Sequence, residues 1–145
     1  MGNGYANMTY EYDQHQEFIV VSNAKGIIKS EALNNGSETT SCTRKYARML
    51  EDDEYQNCDA GHILARRLGG YGNEPLNIFP QNSKINQGVY NQFESKIYNC
   101  LKEGSIGYLS WNFYYNNISS TQPNKVIYSA AFDKGCELIK EEFSN

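Results

Sequence analysis

The sequence predicts an α+β fold, an antiparallel sheet with a strand, loop, strand and helix unit at its centre. Three observations predict it. Two extended runs, Tyr108 to Tyr115 and Lys125 to Phe132, flank a Ser, Thr and Pro loop and pair as antiparallel neighbours. Val89, Tyr90, Phe93, Ile97 and Leu101 recur at three and four residues, the period of a helix with one apolar face. Strands come before and after this helix instead of alternating with helices, which speaks against a parallel α/β sheet.

Taken in order, Glu17 to Ser22 and Gly26 to Ala32 read as a hairpin of two short strands around a turn at Asn23-Ala24-Lys25. Residues 59–67 are mostly extended. Gly69 to Pro75 is a loop, because three glycines and a proline interrupt any ladder. Leu76 to Phe79 resumes as a short strand ending at Pro80. The helix covers Asn86 to about Lys102, with Gly104 suited to its end. Cys136 to Phe143 reads as a final short helix.

The length of 145 residues fits one domain with its own core, expected over 1–145 with the central unit at about 58–103. No stretch approaches the roughly 20 apolar residues that span a bilayer, so a soluble protein without a membrane partner is expected. The first residues lack the charged start and apolar middle of a signal peptide; any such peptide is expected to be absent already, with Met1 as an expression start. Cys42, Cys58, Cys100 and Cys136 sit far apart, without the spacing of a zinc site, and read as two disulfides. Asn-x-Ser/Thr acceptors at Asn7, Asn35 and Asn117 agree, and together these features predict a secreted protein. Reduced, buried cysteines in a cytosolic protein are the alternative.

A net charge of −4 disfavours a uniformly basic surface, but charge is distributed unevenly. Acidic residues crowd into Glu51-Asp52-Asp53-Glu54 and into Glu137 to Glu142. Basic residues collect at Arg44, Lys45 and Arg48, and again at Arg66, Arg67 and Lys84. One basic groove is compatible with this pattern.

The stretch that carries chemistry begins Asp59-Ala60-Gly61-His62 and continues from Leu76 to Glu94. Phosphodiester cleavage needs an activated water, counter-charge on the five-coordinate phosphorus and help for the leaving oxygen. A neutral imidazole, His62, supplies the first. A hard cation supplies the others and retains several waters, so one amide oxygen, that of Asn86, suffices as a protein ligand. Individually each residue has a plainer reading: His62 as a strand histidine, Asn86 as a helix cap, Asn77 and Gln81 as loop polar groups, Glu94 as a solvated helix residue.

Jointly, Asp59-Ala60-Gly61-His62, Asn77, Pro80, Gln81, Asn86-Gln87-Gly88 and Glu94 resemble the DNA/RNA non-specific endonuclease family, the ββα-metal or His-Me finger nucleases, and in particular its small secreted toxin-like branch. The likeness is good over about residues 40–103 and holds in outline beyond. It implies a Mg²⁺-dependent enzyme, with Mn²⁺ as a substitute, that cuts DNA and RNA irrespective of sequence and leaves 5′-phosphate and 3′-hydroxyl ends. It implies His62 as general base, Asn86 as the direct metal ligand, Glu94 as acceptor for a water of the ion's shell, and Asn77 and Gln81 as braces, Asn77 within the catalytic set and Gln81 on the substrate side. The pattern departs from the family at two arginines, replaced here by Ala60 and Tyr98. Arg44, Arg48, Arg66 and Arg67 are the cations left to bind the substrate backbone. A regular helix would separate Asn86 and Glu94 by about 12 Å, so Glu94 acts through water or an irregular helix start.

Two other readings differ in class. One is an inactive nuclease-like fold that binds nucleic acid or a partner protein, motivated by Ala60 and the acidic balance. The other is a disulfide-stapled recognition protein presenting Trp111, Tyr114 and Tyr115.

Overall fold

The structure, a computed structural model, describes residues 5–51 and 58–145. In chain order its elements are Ala6–His15 (β1), Phe18–Ile28 (β2), Ser41–Leu50 (α1), Cys58–His62 (β3), Ile78–Asn82 (β4), Ser83–Gln87 (α2), Val89–Lys102 (α3), Gly107–Tyr114 (β5), Lys125–Phe132 (β6) and Ile139–Ser144 (β7). Five strands form one antiparallel sheet in the order β1-β2-β5-β6-β7, and β3 and β4 form a separate antiparallel ribbon. The α+β class and the antiparallel sheet are as the sequence predicts. Asp52, Asp53 and Glu54 of the acidic cluster lie outside the described residues.

The N-terminal hairpin has a different register from the expected one. Positions 23–25 are not a turn; β2 runs straight through them and pairs with β5 on one side and β1 on the other. No glycine or proline forces a reversal there. Ala24 is fully buried opposite Trp111, and the Asn23 amide donates to the Trp111 carbonyl (3.2 Å) and to Asn112 Oδ1 (2.8 Å). The reversal falls instead at Gln16, which takes a φ of 56°.

Helix α1 is an element the expectations lacked. Its start is a capping box: Thr43 N donates to Thr40 Oγ1, and Thr40 N donates to Thr43 Oγ1 at 2.9 Å. The segment expected to be extended to residue 67 ends as a strand at His62 and closes as a short 3-10 turn at Arg66–Leu68. Pro80 does not end its strand but sits inside β4 opposite Ala60. The bond from Ile63 N to the Asn77 carbonyl makes the 62/78 pair, and with it the 60/80 pair, a non-hydrogen-bonded one, so the Pro80 nitrogen faces away from β3 and the missing N–H interrupts no ladder.

The single helix expected from Asn86 is two helices. Asn82 caps α2 by accepting from Lys84 N and Ile85 N, and the chain breaks at Gly88 before α3 begins. A Cβ on Gly88 would lie 2.7 Å from the Lys84 carbonyl oxygen, so only glycine fits that close turn. At its far end α3 stops at Gly104, whose φ of 100° suits the glycine expected there.

Residues expected as a last helix form β7. Phe143 points inward and packs on Tyr90 (ring centroids 4.9 Å) and Phe93 (5.7 Å), while its neighbours face solvent. The apolar face of α3, Tyr90, Phe93, Ile97 and Leu101, lies on Trp111 and Tyr128 of the sheet. Tyr128 is the hub, 4.6 Å from Phe93 and 4.5 Å from Trp111. Truncating such a ring costs on the order of 3–5 kcal/mol.

One of the two expected disulfides is present, Cys100–Cys136, tying the end of α3 to the β6–β7 connection. Cys42 and Cys58 are not bridged; Cys42 is exposed at the start of α1 and Cys58 begins β3. Among the described residues no helix is long and apolar enough to cross a membrane.

Candidate active site

The ribbon, α2 and α3 reproduce the predicted strand, loop, strand and helix unit. Asp59 binds its two halves together. Its carboxylate accepts from Ser83 Oγ (2.9 Å), Asn86 Nδ2 (2.9 Å) and Gln87 Nε2 (3.2 Å), all on α2. The bond to Nδ2 settles which end of the Asn86 amide is free: Oδ1 makes no hydrogen bond among the described residues.

His62 ends β3, and its Nε2 lies 2.9 Å from the Ser37 carbonyl. A carbonyl only accepts, so Nε2 carries the hydrogen and, in the neutral ring, Nδ1 keeps its lone pair. Burial holds the imidazole below its usual range; the bond to Ser37 pulls the other way, and the charge of Arg66 adds to the lowering. A neutral imidazole with one free nitrogen is the form a general base needs.

The Ser37 carbonyl is itself fixed from α1. Gly72 N donates to it (3.0 Å), and Thr43 Oγ1 donates to the Gly72 carbonyl (2.6 Å). The segment around residue 37 therefore runs tightly along the glycine loop, where a Cβ on Gly72 would overlap the Glu38 backbone. Nothing in the sequence around His62 announced this partner.

Asn77 is fully buried and does not face a groove. Its Oδ1 accepts from Leu64 N (2.9 Å) and Tyr10 OH (3.0 Å), and its Nδ2 donates to the carbonyls of Leu64 (3.0 Å) and Tyr71 (3.2 Å). It fixes the chain just after His62. Gln81 is 1% exposed and packs behind Gly61, where any Cβ would overlap the Gln81 side chain. The glycine before the histidine is thus required by Gln81, and from this place Gln81 braces the strand and does not reach a substrate.

Glu94 lies on α3, 7% exposed, with Arg67 Nη2 3.9 Å from its carboxylate. Burial outweighs that guanidinium and pushes the carboxyl up to about 8. Arg67 Nη2 also donates to the Asn91 carbonyl (2.7 Å) and Asn91 Oδ1 (2.8 Å). Arg66 pairs with Glu38 at 3.3 Å, with both side chains largely exposed. Arg44 donates to the Thr39 carbonyl, and Arg44 and Arg48 border a cleft of about 230 Å³ beside Glu51, Asp59 and Ala60. The four arginines therefore form two separate groups. Trp111 is fully buried and donates to Tyr90 OH (3.1 Å), and Tyr115 is tied to the Val21 carbonyl, so these two serve the core, whereas Tyr114 is 42% exposed with Lys125 Nζ 4.6 Å from its ring centroid.

With this geometry in place, comparison with known proteins is decisive. A family profile described as DNA/RNA non-specific endonuclease matches residues 2–132. The chain belongs to the DNA/RNA non-specific endonuclease family. It is 35% identical over 126 residues to a protein of Dickeya dadantii (strain 3937) named "Probable deoxyribonuclease RhsA". That match covers 86% of this chain and 8% of the Dickeya protein, so the chain spans a small part of that relative's length. Among solved structures it is similar to NucA from Streptococcus agalactiae. The form with magnesium ion bound gives a TM-score of 0.70 at 16% identity, covering 100% of this chain and 74% of NucA. The form with no metal bound gives 0.71 at 17% identity, covering 99% and 72%. At these identities the likeness to NucA is one of fold.

Proposed function

We propose that this chain is a nuclease domain that hydrolyses DNA and RNA phosphodiester bonds without regard to base sequence, with a divalent cation, Mg²⁺ or Mn²⁺, at Asn86. The observation that carries the reading is the Asp59 to Asn86 bond. It leaves the amide oxygen of Asn86 without a hydrogen-bond partner among the described residues, on the helix that contacts the strand of His62.

The donor set fits a hard cation. Asn86 Oδ1 is an uncommitted neutral oxygen, and Glu94 is a buried carboxyl with less positive charge beside it than its ionised form needs. Among the described residues no group of three or more His, Cys, Asp and Glu is placed to hold a metal. When bound, such a cation supplies counter-charge to the phosphorus and to the departing 3′ oxygen.

The residues of the chain do the rest. His62 Nδ1 takes the proton of a water that attacks the phosphorus in line, with Ser37 holding the ring and its tautomer. Asn86 Oδ1 and the Glu94 carboxylate hold the cation side. Asn77 and Gln81 keep the His62 strand in place from behind. Attack with 3′ oxygen departure leaves 5′-phosphate ends, and contacts confined to the backbone give no base preference. The disulfide Cys100–Cys136 supports a secreted protein working in an oxidising compartment.

Nicking of plasmid DNA in Mg²⁺ tests this. His62→Ala is expected to abolish cleavage with thermal stability nearly unchanged, and EDTA to abolish cleavage by the unsubstituted chain. Full activity in His62→Ala, or cleavage indifferent to EDTA, overturns the assignment.

A further inference from the structure

Two arginines that many family members carry are replaced here by Ala60 and Tyr98, so the cation that meets the substrate phosphate has to come from elsewhere. The two arginine groups differ in what surrounds them. Among the described residues the cleft of Arg44 and Arg48 is also lined by Glu51 and Asp59, so the formal charges of that lining cancel. A second cleft, of about 150 Å³, is lined by Arg66, Arg67 and Asn34, two positive charges and a neutral amide.

The second cleft lies over the α3 face that bears Tyr98. Asn91, Glu94 and Tyr98 follow one another at three and four residues and so share one side of the helix. Arg67 covers the first two, donating to Asn91 and standing 3.9 Å from Glu94. Asn34 covers the third, its amide donating to Tyr98 OH at 2.8 Å. The backbone closes the group, with Asn34 N bonded to the Arg67 carbonyl at 2.8 Å. A guanidinium absent from α3 is thus supplied to the same helix face from the turn after His62.

We propose that the cleft of Asn34, Arg66 and Arg67 is the subsite for a nucleic-acid backbone phosphate beside the cleaved bond, with Arg67 in place of the arginine lost at Tyr98. The inference rests on the nuclease reading and names its phosphate-binding residues. Among the described residues Arg67 spends Nη2 alone on protein partners, so Nε and Nη1, on opposite sides of the guanidinium, each keep a donor for a phosphate oxygen. Among the described residues Arg66 is held by an ion pair to Glu38 in which the side chains are 58% and 78% exposed. Such a pair contributes about 1 kcal/mol or less, and a phosphate displaces it. Arg66 also follows His62 by four residues and acts electrostatically on the imidazole, which places its charge near the reacting centre.

The test is the salt dependence of kcat/KM for cleavage of a labelled DNA duplex in Mg²⁺. Each arginine that neutralises a phosphate contributes about 0.9 to the slope of log affinity against log salt. Arg66→Ala, at an exposed position, is expected to flatten the slope by about one and to raise KM several-fold with kcat little changed. Arg67→Lys retains the charge but loses the planar group that donates to Asn91 and to a phosphate at once, and is expected to lower kcat/KM at least tenfold without flattening the slope. The pair Arg44→Ala and Arg48→Ala is expected to leave the slope as it was. An unsubstituted chain that cuts normally, with an unchanged slope in Arg66→Ala or undiminished kcat/KM in Arg67→Lys, overturns the subsite and leaves the nuclease reading standing. An unsubstituted chain that cuts no duplex overturns both.

Discussion

Replacing Asp59 by alanine separates two roles that the site combines, holding α2 and aiming Asn86. Asp59 receives three side-chain donors from α2, Ser83 Oγ and Asn86 Nδ2 at 2.9 Å and Gln87 Nε2 at 3.2 Å. These donors are half-buried or exposed, so water takes over part of what the carboxylate gives. The stability loss is about 2 kcal/mol, below the sum for three fully buried charged bonds. The larger effect is on the cation. Once Nδ2 is released the amide can turn, and the position of Oδ1 is no longer fixed by Asp59. Loss of an outer partner of a metal ligand typically lowers affinity about 10–100-fold, or roughly 1.4–2.7 kcal/mol. The assay is a Mg²⁺ titration of plasmid cleavage by Asp59→Ala and the unsubstituted chain at a temperature where both are folded. The half-saturating Mg²⁺ is expected to rise about 10–100-fold, with cleavage at saturating Mg²⁺ recovering to within a few-fold. An unchanged half-saturating Mg²⁺ accompanied by lost turnover would refute the reasoning, because Asp59 would then act on the chemistry and not through Asn86.

Three other expectations follow from the same contacts. Burial keeps the His62 imidazole below its usual 6.5, so the base is already neutral at that pH. The acid limb of the pH profile of kcat/KM should therefore fall below 6.5, and a limb above it contradicts the role. Glu94 has a folded pKa of about 8 against an ordinary 4.5, so its contribution to stability is full below 4.5 and is lost as the pH rises through 8. Without divalent ions, Glu94→Gln should gain on the unsubstituted chain by a few kcal/mol between pH 5 and pH 9; melting curves that stay parallel across that range exclude it. The Cys100–Cys136 bridge closes a separation of 36 residues, worth up to about 4 kcal/mol in chain entropy, so reduction should lower Tm while Cys42→Ser leaves it nearly unchanged. Equal Tm with and without reductant rules out that contribution.

What could be read from the sequence divides by the range of the interactions involved. The α3 face was legible because Tyr90, Phe93, Ile97 and Leu101 repeat at helical spacing and are buried, whereas Val89, expected on the same face, is 42% exposed. β6 was legible with the same bounds, and β5 nearly so, for the matching reason in a strand. The N-terminal hairpin was misplaced because Asn23 looks like a turn residue until its amide is seen spent on β5. The C-terminal strand looked helical because only its contact with Tyr90 and Phe93 decides which way Phe143 points. α1 did leave a local trace, the Thr40 and Thr43 capping pair, which went unread beside the more conspicuous cluster of charges. The glycine loop was placed correctly, yet its function of approaching residue 37 is a long-range fact that no window of sequence contains.

The same division explains the site. The residues that resemblance implied are held by different partners: Asn86 by Asp59 from within the finger, His62 by Ser37 from outside it. The motif is local, so it names the reacting groups and the inner partner. The outer partner is a backbone carbonyl, which any residue at position 37 would provide, and so it leaves no side-chain signature. What the sequence does retain is the means of bringing that carbonyl close: Gly72 beside Glu38, and Thr43 bonded to the Gly72 carbonyl. Orientation of the His62 ring thus depends on α1, through Thr43, Gly72 and Ser37 in turn. The break at Gly88 does the corresponding work on the other side. A straight helix would hold Asn86 and Glu94 about 12 Å apart along one axis, whereas two helices meeting at a glycine let Asn86 answer to Asp59 while Glu94 stays buried with α3.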